Sequence, residues 1–217
     1  MDESIKKEWH IASPESGEGF PLKIRPTALE MERFEVTPEL WQRALKAYRE
    51  ARTDLIRRAA LARDQAVSYR GFKIGCAAMG IEPPHYGGEE RFIGYDGCNV
   101  KLSPAIVRGT DKRCAERNTL EAMKGWAKVI NALVTVSKEA NTGDEPRIHD
   151  VLHPCEDCRH LFREFLEEGF MREDTILCNV NDAEEELKIE ERTLRDLLDL
   201  YADDQVRSGV PSGYPVR

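Results

Sequence analysis

Apolar residues fall into stretches whose spacing changes along the chain. Between residues 37 and 68 they stand at Leu40, Leu45, Ala47, Leu55, Ala59 and Ala66, a loosely helical repeat. Thr37 is a suitable N-cap and Pro38 suits a first helical position, so the pattern predicts a long helix from about 38 to 68. "GFKIGCAAMGI" then reads as a strand, with Phe72, Ile74, Cys76 and Ala78 on one face. The Pro- and Gly-rich "EPPHYGGEE" is a turn region, and "RFIGYDGCNV" is the partner strand of a hairpin.

Further on, "KLSPAIVRGTDK" reads as a loop and "RCAERNTLEAMKGWAK" as a helix with Ala115, Thr119, Ala122, Met123 and Trp126 on roughly one side. "INALVTVS" is short and apolar enough to be a central strand. "PCEDCRHLFREFLEEGF" has clear limits. Pro154 suits a first turn, Leu161, Phe162, Phe165 and Leu166 form a stripe, and Gly169 stops the helix. "TILCNV" predicts a strand and "ERTLRDLLDLYA" an amphipathic helix.

The order is helix, hairpin, helix, strand, helix, strand, helix. Alternation after the hairpin implies parallel strands joined by crossovers. The expected fold is α/β: three layers, α/β/α, around a central mixed sheet. Residues 1–36 mix charge, Pro and Gly with few apolar residues and read as an N-terminal extension, partly ordered at best. Residues 37–205 form the domain, and 206–217 a C-terminal tail.

The formal charge of −8 on 217 residues speaks against a dedicated polynucleotide binder, which usually carries a basic face. No apolar run approaches a membrane span, and "MDESIKKEWH" has no apolar signal core, so a cytoplasmic protein is expected. In such a chain the six cysteines are free thiols or metal ligands rather than a disulfide framework. Cys76 and Cys178 lie in apolar runs and read as core.

Three other cysteines carry chemistry. "KRCAERN" sets Cys114 two residues before Glu116, and "HPCEDCRH" sets Cys155 and Cys158 at the start of a helix. A helix N-terminus favours the thiolate form. Three thiolates match a catalytic zinc site, which takes three protein ligands and keeps a fourth position for water. Glu116 would then exchange protons with that water. A closed structural zinc site needs a fourth ligand, for which Cys98, His153 and His160 are candidates by spacing. A redox dithiol is a third reading, disfavoured by the loop that precedes the pair. His160 also reads as a helix-surface residue. Trp126, Phe162 and Phe165 read as core, and Glu121 and the acidic run "AEEELKIEER" as solvated faces.

A ligand-x-Glu followed later by Pro-Cys-x-x-Cys is a signature of zinc-dependent nucleobase deaminases. On "SYRGFKIGCAAMG", "GCNV", "CAER" and "HPCEDCRHLFREF", the chain resembles the cytidine deaminase family in its three-cysteine, free-nucleoside branch, over roughly residues 40–180. The resemblance implies zinc on Cys114, Cys155 and Cys158, with Glu116 as proton shuttle. It implies Phe72 against the pyrimidine, Asn99 on the sugar hydroxyl, and the Ala115 backbone N–H at the base. It also implies Arg117 beside a zinc thiolate, offsetting its charge. The implied reaction is hydrolytic deamination, a zinc-activated hydroxide adding to the amine-bearing ring carbon of a cytosine nucleoside or nucleoside-like small molecule. A homo-oligomer, tetramer or dimer, is implied as well. Other readings are a deaminase of single-stranded nucleic acid and a non-catalytic zinc-containing relative.

Two departures bear on substrate. The family usually has a glutamate two residues past the asparagine, where this chain has Lys101. The segment from Asn99 to Cys114 is also longer than the family's, and it carries Lys101, Arg108, Lys112 and Arg113 against Asp111 alone. These point to a cytosine compound with an acidic group; the other reading is that Lys101 faces solvent. "VPSGYPVR" is similar to the ending of blasticidin S deaminases, and there Tyr214 would reach a neighbouring subunit's site.

Overall fold

The computed structural model of the protein describes residues 25–68, 71–84, 88–101, 112–138 and 150–202. Tyr214, Arg108, Asp111 and the predicted tail 206–217 lie outside the described residues.

A capping box starts the described chain. Thr27 accepts from the Glu30 N–H, and Glu30 reaches back to the Thr27 backbone, opening helix α1 (Ala28–Arg33). Of the N-terminal extension, residues 25–36 are described, and they join the fold. Phe34 and Val36 pack against Leu40, Trp41, Ala44, Ile81 and Val129. Arg25 lies over the Trp126 ring at 5.0 Å, and Lys128 Nζ donates to the Met31 carbonyl. Trp126 is therefore half-buried under the extension rather than part of the central core.

Thr37 caps helix α2 (Pro38–Asp64) by accepting from the Leu40 N–H, with Pro38 in the first turn. The helix stops at Asp64, four residues short of the prediction. Strand β1 (Val67–Ser68) follows, then β2 (Ile74–Glu82) and β3 (Arg91–Cys98) as an antiparallel hairpin. Two-residue strands β4 (Val100–Lys101) and β5 (Lys112–Arg113) pair with each other. With β1 they make a small sheet in the order β1-β4-β5, built where the sequence predicts the end of the first helix (Val67, Ser68), the end of the hairpin strand (Val100), loop (Lys101, Lys112) and the start of the next helix (Arg113). Helix α3 (Ala115–Met123), strand β6 (Val129–Ser137), helix α4 (Glu156–Glu167) and strand β7 (Ile176–Asn181) come next. Gly169, at φ 73°, ends α4 in the left-handed region.

Strand β8 (Lys188–Thr193) was not expected. It takes in the second half of the acidic run read as a solvated face. The last helix, α5 (Leu194–Leu200), therefore begins later than predicted, capped by Thr193 and Asp196.

The main sheet runs β3-β2-β6-β7-β8. β6 and β7 are parallel and the other neighbours antiparallel, which is the mixed sheet expected. Every residue of β2 and β6 is buried, as in central strands covered on both faces. On one face Tyr48, Ala51, Leu55 and Ala59 of α2 meet Ala77, Met79, Val134 and Val180. On the other, Leu120 of α3, Phe162 and Phe165 of α4 and Leu197 of α5 meet Ile74, Ala78, Leu133 and Leu177. Burying a side chain such as Phe162 contributes about 1.5–3 kcal/mol. The chain thus has a three-layer α/β/α fold. Cys76 and Cys178 are core residues on opposite faces of the sheet. Gly75 lets α2 approach β2: a Cβ there would stand 1.8 Å from the Ala59 carbonyl oxygen. Among the described residues no helix is long and apolar enough to cross a membrane.

Candidate metal centre

Two helix starts build the site. Cys114 is the N-cap of α3 and Cys155 the N-cap of α4, both with extended backbone. Neither side chain makes the capping hydrogen bond that Ser, Thr, Asp or Asn makes there. Cys158 is three residues into α4, where an N-cap side chain normally reaches. The C-x-x-C spacing therefore turns both sulfurs to one side of the helix start. Cys114 arrives from α3, and its sulfur lies 3.6 Å from that of Cys155.

The three Sγ atoms all lie within 4.8 Å of one another. Tetrahedral zinc with bonds of about 2.3 Å holds its sulfurs about 3.8 Å apart, so the thiols need close by less than about an ångström. Three soft thiols of this spacing fit zinc. Cys158 is buried, Cys114 half-buried and Cys155 open to solvent, so the site faces water on one side.

Crowding governs the protons. The hydrogen bond with Cys155 raises the Cys114 thiol; the hydrogen bond with Cys158, the next largest effect, opposes it, and burial and the charge of Glu116 add to the rise, leaving it at about 12. Hydrogen bonds with Cys114 and Cys155, then burial, push Cys158 well above the ordinary thiol range. Three thiolates this close repel one another, and a cation is what allows all three to lose their protons.

Glu116 lies in the first turn of α3 and is 3% exposed. Its charge acts on Cys114, Cys158 and the buried Cys76 of β2. Ala115, the first residue of α3, is fully buried, and its N–H belongs to the helix turn without an intrahelical acceptor.

The predicted fourth ligands do not join the cluster. Both ring nitrogens of His153 are engaged, Nε2 with Glu190 Oε1 at 2.6 Å and Nδ1 with Tyr201 Oη at 2.9 Å. His160 is turned outward and pairs with Glu156 at 3.7 Å. Cys98 is not within ligand distance of the other thiols, so among the described residues the group is three cysteines.

Asn99 is almost fully buried. Its Oδ1 accepts from the Ile74 N–H at 2.7 Å, and its Nδ2 donates to the Phe72 carbonyl at 3.0 Å. It fixes the backbone that carries Phe72, whose ring is partly exposed at 37%. Arg117 pairs with Glu121 one turn along α3, and Arg113 reaches the same carboxylate at 3.8 Å. Glu121 is exposed, as expected, and is the partner of both cations flanking Cys114. The cation that sequence reading missed is Arg159, 4% exposed and next to Cys158. Its sign was a charged residue inside the apolar stripe of α4. Lys101 stands in β4 opposite Lys112 in β5, and Val100 opposite Arg113.

No family model matches the chain, and no curated protein matches it. Among solved structures it is similar to cytidine deaminase from Burkholderia pseudomallei, at 22% identity and a TM-score of 0.44 over 67% of this chain and 94% of that one. It is also similar to cytidine deaminase from Mycobacterium leprae, at 21% identity and a TM-score of 0.40 over 67% and 95%. Cytidine deaminase from Mycobacterium tuberculosis gives 22% identity and a TM-score of 0.36 over 76% and 97%.

Proposed function

We propose that this protein is a zinc-dependent hydrolytic deaminase of a cytosine-containing nucleoside or nucleoside-like small molecule. The observation that carries this reading is the cluster of Cys114, Cys155 and Cys158 at two helix starts, with the buried Glu116 two residues from one of them. A structural knot needs a fourth ligand and no carboxylate. Three thiols and a carboxylate suit activation of water.

When bound, zinc supplies the Lewis acidity that makes water a competent nucleophile near neutral pH. Glu116 takes one proton from the attacking water and delivers it to the ring nitrogen, then takes the remaining proton of the added hydroxyl and delivers it to the departing amine. The net change replaces the exocyclic amine by a carbonyl oxygen and releases ammonia. The Ala115 N–H offers a hydrogen bond to the base, and the partial positive charge of the α3 N-terminus favours an electron-rich group there. Phe72 packs against the pyrimidine. Asn99, anchored through one N–H and one lone pair, keeps a second N–H for a sugar hydroxyl. Three thiolates and a carboxylate outweigh a dication, and the guanidinium groups of Arg117 and Arg159 offset the excess.

The substrate in this reading carries an acidic group. The backbone register of β4 and β5 supports it: Lys101, Lys112 and Arg113 share one two-strand ladder that leads directly into Cys114. Tyr214 and a homo-oligomeric assembly remain parts of the proposal that rest on the sequence resemblance.

The test is a deamination screen of the zinc-loaded protein against cytosine, cytidine, deoxycytidine, their monophosphates and blasticidin S, read by ultraviolet absorbance and ammonia release. Turnover lost in Glu116→Gln with zinc retained supports the reading. Bound zinc with no turnover of any aminopyrimidine overturns it in favour of a non-catalytic relative. The acidic-group assignment fails if cytidine is turned over more efficiently than its monophosphate and Lys101→Glu changes nothing.

A further inference from the structure

His153 sits immediately before the Pro154-Cys155 segment, with a side chain that is fully buried. Buried imidazoles need partners, and this one has two from distant elements. Glu190, in edge strand β8, meets Nε2, and Tyr201, at the end of α5, meets Nδ1. Glu190 is itself held by Arg192, whose Nε and Nη2 donate to its two oxygens at 2.7 and 3.1 Å. The Tyr201 ring is 5% exposed and stands edge-on to the imidazole at 77°. Over the same tyrosine ring lies the Arg159 guanidinium, 3.9 Å from the centroid. Arg159 Nη1 then donates to the Pro154 carbonyl at 2.5 Å.

These contacts close a ring: His153, Tyr201, Arg159, Pro154 and back to His153 through one peptide bond. The ring touches both ends of the C-x-x-C pair, because Cys155 follows Pro154 and Arg159 follows Cys158. Pro154 has its φ fixed by the pyrrolidine, so few soft torsions separate the His153 Cα from Cys155. The Arg159 contact holds the Pro154 carbonyl and with it the remaining torsion of that residue.

We propose that His153 is a positioning residue for the metal centre, pinned by Glu190 and Tyr201 so that Cys155 enters the cluster in a fixed direction. The proposal rests on the three-thiol metal site and not on the reaction assigned to it. It ties the most exposed ligand to strand β8 and helix α5, two elements that contribute no ligand. Without the imidazole, Cys155 keeps its sulfur and its helix start but loses the anchor on its N-terminal side.

The experiment uses the full chain loaded with zinc and, separately, with cobalt. Zinc release to a chromophoric chelator and the cobalt ligand-field spectrum are recorded for wild type, His153→Ala, Glu190→Gln and Tyr201→Phe, with thermal unfolding of the apo and metal forms. Outer-shell partners of metal ligands typically change metal affinity about 10–100-fold, so His153→Ala is expected to release zinc faster by a factor in that range and to shift the cobalt bands. Glu190→Gln keeps an acceptor for the Nε2 proton and should stay close to wild type. Tyr201→Phe removes one hydroxyl without opening the core and should fall between, which keeps the proposal testable if His153→Ala fails to fold. If the folded variants melt earlier yet release zinc at the wild-type rate with an unchanged cobalt spectrum, His153 is only a core residue and the proposal is overturned. A wild-type chain that takes up no zinc overturns the metal site and this proposal together.

Discussion

Cys114 and Cys155, the N-caps of two different helices, hold their sulfurs 3.6 Å apart. Neither is bridged to the other, and Cys158 completes a triangle. The helices are packed into the same face of the sheet by Leu120, Phe162 and Phe165, so rigid elements fix the spacing before any cation arrives.

Removing one ligand should empty the site. Cys158→Ser is expected to abolish stoichiometric zinc binding, while Cys98→Ser and His160→Ala leave the zinc content at one per chain. Metal analysis after gel filtration checks this. Loss of zinc in either of the latter two would mean a four-ligand site.

Acid should weaken metal binding, because the crowded thiols hold their protons and the cation must displace them. For the apo protein the sign runs the other way. Cys114 has a folded value raised to about 12, above the roughly 8.5 of an unfolded cysteine, so the folded state keeps the proton more tightly. That stability is fully present below pH about 8.5 and is lost as pH rises toward 12. Thermal melts of the apo form from pH 7 to 10 should therefore fall, and those of the zinc form should not.

Asn99→Ala removes the acceptor of the buried Ile74 N–H and the donor to the Phe72 carbonyl. Leaving a buried N–H unpaired costs about 1–3 kcal/mol, which denaturant unfolding would register as an earlier midpoint. A change of under a few tenths would mean that the backbone finds other partners.

Gly75→Ala should be worse than its size suggests. The new Cβ would meet the Ala59 carbonyl and the Arg63 N–H, both backbone atoms of α2, so a helix must move. Overpacking of this kind costs about 1–3 kcal/mol or more, read in the same denaturant curves.

Much of this arrangement is legible in the sequence because local rules act on it. Thr37-Pro38 and Gly169 mark helix limits through capping and backbone conformation, and the unbroken apolar runs of β2 and β6 mark central strands. The three thiols and Glu116 are legible because so few chemistries want those residue types at that spacing. β8 is not legible, because "KIEERT" is polar on both faces. Its carboxylates are satisfied mainly by distant partners: Glu191 by Tyr48 and Arg52 on one side of the sheet, Glu190 by His153 on the other, with Arg192 of the same strand beside it. The strands β1, β4 and β5 are two residues each, too short for any periodicity. Residues 25–36 look like an extension because their anchors, Trp126 and Lys128, come a hundred residues later.

X-ray absorption at the zinc edge of the loaded protein tests the central claim most directly. The account predicts three sulfurs at about 2.3 Å and one oxygen at about 2.0 Å, without the multiple scattering of an imidazole. Four sulfurs, or three sulfurs with an imidazole nitrogen, would contradict it.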